Sequence, residues 1–326
     1  MEKVSFVIPC YWSEQTLAGV VDEIVLTMQN EKYKYEIILV NDGSGDGTWQ
    51  VIQGLAVQYE NIFGISLAKN FGQHSALMAG FHFCNGDYVV CLDDDGQTPP
   101  DEVGKLLAKL QGGYDVVFAK YAHKMHAVYR NIGSKINDFM VRSLVGKPDG
   151  LFISSYFAAR RFVIDEAVRY ESPYPYMAGL LLRTTRNVAN VEVNHRARSQ
   201  GVSGYTFRKL LGLWLNGFTA FSVKPLRIAT LAGCGCALMG GMYGIFVVAQ
   251  KLINPAAPAG WSSLMAMLLF IGGMMMVMQG MIGEYIGRIY ISQNKMPQYV
   301  IRETVGKTKE CRLDGAVTTR RTSATS

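Results

Sequence analysis

The sequence predicts an α/β fold, with a mostly parallel sheet and helices on both faces, followed by an interfacial helix and a two-helix transmembrane hairpin. Three observations predict it. Short apolar runs alternate with helix-period stretches, polar turns rich in Asp and Gly close those runs, and two long uncharged stretches lie towards the C-terminus. Val4–Ile8 reads as the first strand; Pro9, Trp12 and Glu14 follow too soon for a signal peptide. A helix over about Thr16–Asn30 places Leu17, Val20, Val21, Ile24, Val25 and Met28 on one face. Tyr35–Val40 is a second buried strand, a helix covers about Trp49–Tyr59, and Phe63–Leu67 is a third strand. An apolar helix over Gln73–Phe83 precedes a fourth strand, Tyr88–Leu92.

That fourth strand ends in Asp93-Asp94-Asp95-Gly96-Gln97, the most informative segment of the chain. Open α/β sheets bind ligands in the crevice outside the carboxyl ends of their strands. Side chains alternate along extended backbone, so Asp93 and Asp95 are expected to point one way and Asp94 the other. Two carboxylates and the Gln97 amide oxygen make a hard-oxygen set suited to Mg²⁺ or Mn²⁺. The turn after the second strand, Asn41-Asp42-Gly43-Ser44-Gly45-Asp46-Gly47-Thr48, lacks both the G-x-G-x-x-G and the G-x-x-x-x-G-K-[ST] spacing, which excludes dinucleotide-fingerprint and P-loop readings. Asp42 closes its strand as a carboxylate able to accept from ribose hydroxyls or a base N–H.

Four motifs stand in order: Pro9-x-Tyr11-x-x-Glu14, Val40-Asn41-Asp42-Gly43-Ser44, Asn70-Phe71-Gly72-Gln73 and Asp93-x-Asp95-x-Gln97-x-Pro99-Pro100. Together they resemble the family 2 glycosyltransferases of GT-A fold, specifically the polyprenyl-phosphate subgroup that includes dolichyl-phosphate mannose synthase and bacterial undecaprenyl-phosphate glucose and aminoarabinose transferases. The likeness runs from about Val4 to Tyr299, with Trp12-Ser13 standing where the family usually has Asn-Glu. The resemblance implies a nucleotide site of Pro9, Tyr11, Glu14, Asp42 and Asp93, a metal on Asp95 and Gln97, and a homo-oligomer, tetramers being common in the family.

Composition agrees with a membrane-bound enzyme. Residues 228–250 and 261–283 are each 23 residues long without a charge. At about 1.5 Å per residue each helix would reach about 34 Å, enough for a hydrocarbon core of about 30 Å. Asn254, Pro255 and Pro258 mark a short return between them. Arg208, Lys209, Lys224 and Arg227 precede the first span, Arg288 and Lys295 follow the second, and Lys251 alone lies in the turn. The cation bias puts the catalytic domain and both termini in the cytoplasm, at the inner membrane of a bacterium. The expected organisation is a catalytic domain over 1–204, an interfacial helix over 205–223, the hairpin over 224–288, and a C-terminal segment over 289–326 whose last residues form a disordered tail. Phe207, Leu210, Leu211, Trp214, Phe218 and Phe221 recur at helical spacing in the interfacial helix, read so over a core helix because a span follows closely. Six cysteines without paired spacing fit a reducing compartment. The net charge of +6 is read as membrane and phosphate affinity, with no nucleic-acid partner.

On the acceptor side, the resemblance implies phosphate contacts from Lys120, Arg130, Ser134 and Arg198, the last in His195-Arg196-x-Arg198-x-x-Gly201-x-Ser203. The guanidinium fork suits phosphate oxygens in shape and charge. Arg160, Arg161 and Arg169 are read as solvated. His74 and His82 are read as packing or helix-surface groups, and His195 as a weak candidate for phosphate contact. Ser154-Ser155-Tyr156-Phe157 matches a family loop near the reacting centre; Leu151 stands where an acid is common, and Asp149 is left open as its substitute. The expected reaction moves a sugar from a nucleoside diphosphate, UDP before GDP, to a polyprenyl phosphate. A phosphate monoester is already largely anionic at neutral pH, so its attack needs no strong base. Asp93, Asp95, Arg130 and Arg198 are the expected catalytic set, and direct displacement inverts the anomeric centre. A processive polysaccharide synthase would carry Q-x-x-R-W and more spans; a non-catalytic scaffold would not need Asp93, Asp95 and Gln97 intact. The sugar itself is not legible.

Overall fold

The computed structural model describes residues 2–31, 33–121, 147–194, 224–253, 260–293 and 296–307, some side chains of the last two long helices excepted. The described chain runs β1 (Lys3–Cys10), α1 (Leu17–Asn30), β2 (Lys34–Asn41), α2 (Thr48–Gln58), β3 (Ile62–Leu67), α3 (Gln73–Phe81), β4 (Tyr88–Cys91), α4 (Val103–Gln111), β5 (Val116–Tyr121), β6 (Phe157–Arg160), α5 (Arg161–Ala167), α6 (Met177–Thr184), β7 (Val188–Val193), α7 (Lys224–Ile253), α8 (Trp261–Gln293) and β8 (Ile301–Val305). It divides into two units: residues 1–206 with 295–326, and residues 207–294.

The first unit is built on one eight-stranded sheet in the order β7-β5-β6-β4-β1-β2-β3-β8. From β4 to β3 the neighbours are parallel, as the alternation of strands and helices predicts. β5 and β7 are parallel as well, which makes four parallel pairs, but β6 lies antiparallel between β4 and β5, and β8 runs antiparallel to β3. The sheet is mixed. β8 follows α8 in the chain, so residues 301–305 complete the catalytic sheet from the far side of both long helices in sequence.

Apolar runs explain the core. Val4, Phe6, Val7 and Ile8 of β1 and Ile37 to Val40 of β2 have no exposed surface, because these central strands are covered on both faces. Helix α1 buries Leu17, Val20, Val21, Ile24, Val25 and Met28, the six residues its periodicity picks out. Each such side chain contributes roughly 1.5–3 kcal/mol by burial. Parallel order fixes the site: the carboxyl ends of β1, β2 and β4 lie along one edge of the sheet, carrying Tyr11, Asp42 and the acidic triplet.

In the second unit, α7 has 30 residues and α8 has 33. Leu231, Leu238, Ile245, Leu264, Leu268 and Met276 are large apolar side chains exposed along them. Among the described residues, no helix is long and apolar enough to cross a membrane, several positions inside both helices lying outside the description. The case for two spans rests on the sequence of 228–250 and 261–283. The interfacial stretch 205–223, the turn at 254–259 and the tail from 308 lie outside the described residues.

Candidate active site

The acidic triplet leaves β4 with each carboxylate already engaged. Asp93 Oδ1 accepts from Gln73 Nε2 at 2.9 Å, and its Oδ2 accepts from Ser155 Oγ at 2.5 Å. Asp94 turns to the first loop, where its Oδ2 accepts from the Tyr11 amide at 2.9 Å. The Thr16 hydroxyl donates to the Asp94 carbonyl at 2.7 Å. Asp95 Oδ1 accepts from the Gln97 amide at 3.0 Å, forming an Asx-type turn across Gly96. Burial, then the neighbouring Asp95 and Asp94, push the Asp93 carboxyl up to about 6. Asp94 is also raised, first by burial. Tyr121 closes β5 nearby; burial and then Asp93 and Asp95 raise its hydroxyl. Three successive carboxylates concentrate negative charge at this edge of the sheet.

The glycine-rich turn after β2 is a clamp. Asp42 is 3% exposed, and its two oxygens accept from the amides of Phe71 (2.7 Å) and Gly72 (2.8 Å). Burial raises its pKa and those amides lower it. Its neighbour Gly43 has φ +66°, and a Cβ there would lie 2.4 Å from the Lys69 carbonyl carbon and 2.6 Å from the Asn70 nitrogen. Only glycine lets the two loops approach so closely. The first loop is tied to the same turn: the Trp12 amide donates to Ser44 Oγ (3.2 Å), the Ser13 amide to Thr48 Oγ1 (2.9 Å), and Gly47 donates its amide to Glu14 Oε2 (3.0 Å). Trp12 holds φ +57°, a left-handed conformation that costs a bulky residue energy, and those bonds maintain it.

The family profile described as Glycosyl transferase family 2 matches residues 5–169, just over half of the chain. The chain belongs to glycosyl transferase family 2. A second profile, GtrB C-terminal hairpin, matches residues 224–289 of this glycosyltransferase. The undecaprenyl-phosphate 4-deoxy-4-formamido-L-arabinose transferase of Photorhabdus laumondii is 34% identical over 95% of this chain and 96% of its own length. The enzyme of the same name from Proteus mirabilis is 33% identical over 95% and 96%. Among solved structures, glucosyl-3-phosphoglycerate synthase from Mycobacterium tuberculosis in complex with UDP superposes with a TM-score of 0.52 at 19% identity, covering 68% of this chain and 79% of that one. Its complex with Mn²⁺, UDP-glucose and phosphoglyceric acid gives 0.52 over 67% and 78%. At that identity the likeness shows the fold.

In the family 2 transferase described here, Pro9, Tyr11, Glu14, Asp42, Asp93, Asp95 and Gln97 fall at the carboxyl edge of the sheet or in the loops tied to it. The Asp42 carboxylate grips the Asn70–Gln73 loop instead of standing free. Lys120 Nζ is paired with Glu192 Oε1 at 3.0 Å, both side chains being exposed. Successive strand residues face opposite ways, so Tyr121, not Lys120, meets the acids. Arg130, Ser134, His195 and Arg198 lie outside the described residues. Leu151 is buried and Asp149 exposed. The reading of Arg160 and Arg161 as solvated fails: Arg160 donates to the carbonyls of Tyr114 and Leu110, and Arg161 donates to that of Cys84. His74 packs edge-on against Tyr176 with ring centroids 5.7 Å apart, and burial pushes its imidazole down to about 4. Sequence reasoning missed the grip of Gln73 and Ser155 on Asp93; both sit in motifs it had singled out, but the pairing is tertiary.

Proposed function

We propose that this glycosyltransferase moves a sugar from a UDP-sugar to undecaprenyl phosphate at the cytoplasmic face of a bacterial inner membrane. The carrying observation is the three-carboxylate crevice at the strand ends, joined to the naming of relatives alike over nearly the whole chain as undecaprenyl-phosphate sugar transferases. Tyr11, Glu14 and the Asp42 clamp would shape the nucleotide side, and Arg130, Ser134 and Arg198 would receive the lipid phosphate. Lys120 would join that set by exchanging its exposed pair with Glu192, a contact worth little at the surface, for the lipid phosphate.

A divalent cation, Mg²⁺ or Mn²⁺, fits the donor set. Among the described residues no group of three His, Cys, Asp or Glu side chains is arranged to hold one. Such ions bind through one or two carboxylates plus substrate phosphates, however, and a cation would offset both the burial and the neighbouring acids that raise the Asp93 carboxyl. Asp95 and Gln97 would hold it, with Asp93 beside them. When bound, it neutralises charge on the departing diphosphate. Gln73 and Ser155 keep the Asp93 carboxylate fixed. The lipid phosphate is its own nucleophile, so buried Leu151 in place of an acid does not impede attack, and one displacement inverts the anomeric centre.

The membrane reading rests on the uncharged runs 228–250 and 261–283. The chain leaves the catalytic sheet after β7 and returns to it as β8, so a crossing by α7 would have to be matched by a return through α8. The cation bias places both ends in the cytoplasm. The deciding experiment incubates purified enzyme with undecaprenyl phosphate, Mn²⁺ and a panel of UDP- and GDP-sugars that includes UDP-4-deoxy-4-formamido-L-arabinose, then weighs the lipid product. A glycosylated lipid phosphate that disappears in chelator is expected; no product from any donor refutes the reading. Arg130→Ala should raise acceptor KM about ten- to hundredfold and leave donor binding nearly unchanged, as loss of a charge-assisted contact predicts.

A further inference from the structure

We propose that residues 298–300, in the segment that returns from the hairpin, strap α3 in register with the acidic crevice, and that Gln298 and Tyr299 are positioning residues for transfer. The proposal rests on the transfer reading above. Three consecutive residues take hold of three surroundings of one helix. Gln298 Nε2 donates to the carbonyls of Tyr170 (3.1 Å) and Ser172 (2.9 Å), in the loop leading to Tyr176, whose ring packs on His74 at the start of α3. The Tyr299 hydroxyl lies 2.8 Å from His82 Nδ1 at the C-terminal cap of α3. The Val300 carbonyl accepts from the Ala68 amide at 2.9 Å, at the end of β3 where the Asn70–Gln73 loop begins. The next residues form β8 and zip along β3 from Leu67 to Gly64.

What the strap encloses is the lever on Asp93. Residues 68–73 run from the Val300 bond through the Asp42 clamp to Gln73, the first residue of α3, and Gln73 Nε2 holds Asp93 Oδ1. A helix of nine residues transmits displacement of either end to the other, because its backbone bonds hold it as one body. Freeing Ala68 or His82 therefore lets Gln73 move off the carboxylate. The strap's hydrogen bonds described above end on Tyr170, Ser172, His82 and Ala68, and their route to the chemistry runs through Gln73.

The test uses the full-length enzyme in lipid nanodiscs, with Gln298→Ala and Tyr299→Phe. Amide hydrogen exchange across 68–74 should quicken about three- to tenfold, the loss expected of one or two net hydrogen bonds, with 4–8 and 36–40 unchanged. The kcat should fall by a similar factor while both KM values hold, the signature of an interaction felt in the transition state. Exchange across 68–74 that stays as in the wild type overturns the proposal; so does faster exchange with kcat retained. Should Gln298→Ala fail to fold, Tyr299→Phe, which removes one oxygen, carries the test alone. A wild-type enzyme that glycosylates no lipid phosphate refutes the transfer reading instead. The exchange data across 68–74 then judge the strap separately.

Discussion

The sheet carries a desolvated carboxylate at each end, and the two are treated in opposite ways. At the amino ends of the strands, Glu36 is 2% exposed and fully partnered: Lys3 pairs with it, Ser5 Oγ donates at 2.6 Å and the Asn85 amide at 2.7 Å. Ser5 in turn accepts from the Gly86 amide at 2.8 Å, so the charge sits in a closed network. At the carboxyl ends, Asp93 is held, among the described residues, by the neutral donors Gln73 and Ser155, with Asp94 and Asp95 beside it. One end carries its own lysine, and the other gathers three acids at the strand ends. Buried acids that fold a protein bring their cation with them; those that serve a ligand leave the charge open.

Substitutions can break that contrast. The largest effect is expected from Asp95→Ala, which should lower transfer at least about a hundredfold by removing charge stabilisation at the leaving group, with folding retained. A chelator-insensitive wild type would refute its basis. Glu36→Ala should do the reverse: stability falls by about 3 kcal/mol as Lys3, Ser5 and Asn85 lose their acceptor, while kcat per folded molecule holds. Denaturant melts and active-site titration separate the two. If Glu36→Ala lowers kcat in folded protein, the amino end is not merely structural. Gly43→Ala should follow, costing about 1–3 kcal/mol because its Cβ meets the Lys69–Asn70 backbone, with donor affinity weakened as the Asp42 clamp shifts.

The smallest effect concerns His74. Its folded pKa of about 4 lies below the usual value near 6.5, so between those limits the unfolded chain binds more protons. Stability should therefore rise with pH through that window and fall as pH drops from 6.5 towards 4. His74→Phe keeps a ring against Tyr176 and should flatten the melting temperature over that range; an unchanged slope would show that other groups set it.

The half of the fold that the sequence made legible is the half built from local signals. β1, β2, β3 and β4 are dense apolar runs, and covering both faces of a central strand demands such runs. β7, Val188–Val193, carries Asn190 and Glu192, and β8, Ile301–Val305, carries Arg302, Glu303 and Thr304. As edge strands they bury little, so composition hides them. β8 also pairs with a strand more than 230 residues earlier, which no window reveals. In the site, Asp93, Asp95 and Gln97 were readable because one strand end delivers them together. The approach of Tyr121 to Asp93 and Asp95 was not, since the facing of neighbouring strand residues depends on a register that tertiary pairing sets.

The late arrival of β8 also constrains how the polypeptide matures. β3 leaves the ribosome long before its antiparallel partner, with the whole 224–293 stretch translated in between. Until then β3 presents an unpaired edge of backbone donors and acceptors, the kind of surface that recruits stray strands. A nascent chain delayed anywhere within 224–293 would hold that edge open longest. Synthesis of β8 thus becomes a checkpoint for completing the sheet, and a stall between α8 and β8 is the point at which self-association would be greatest.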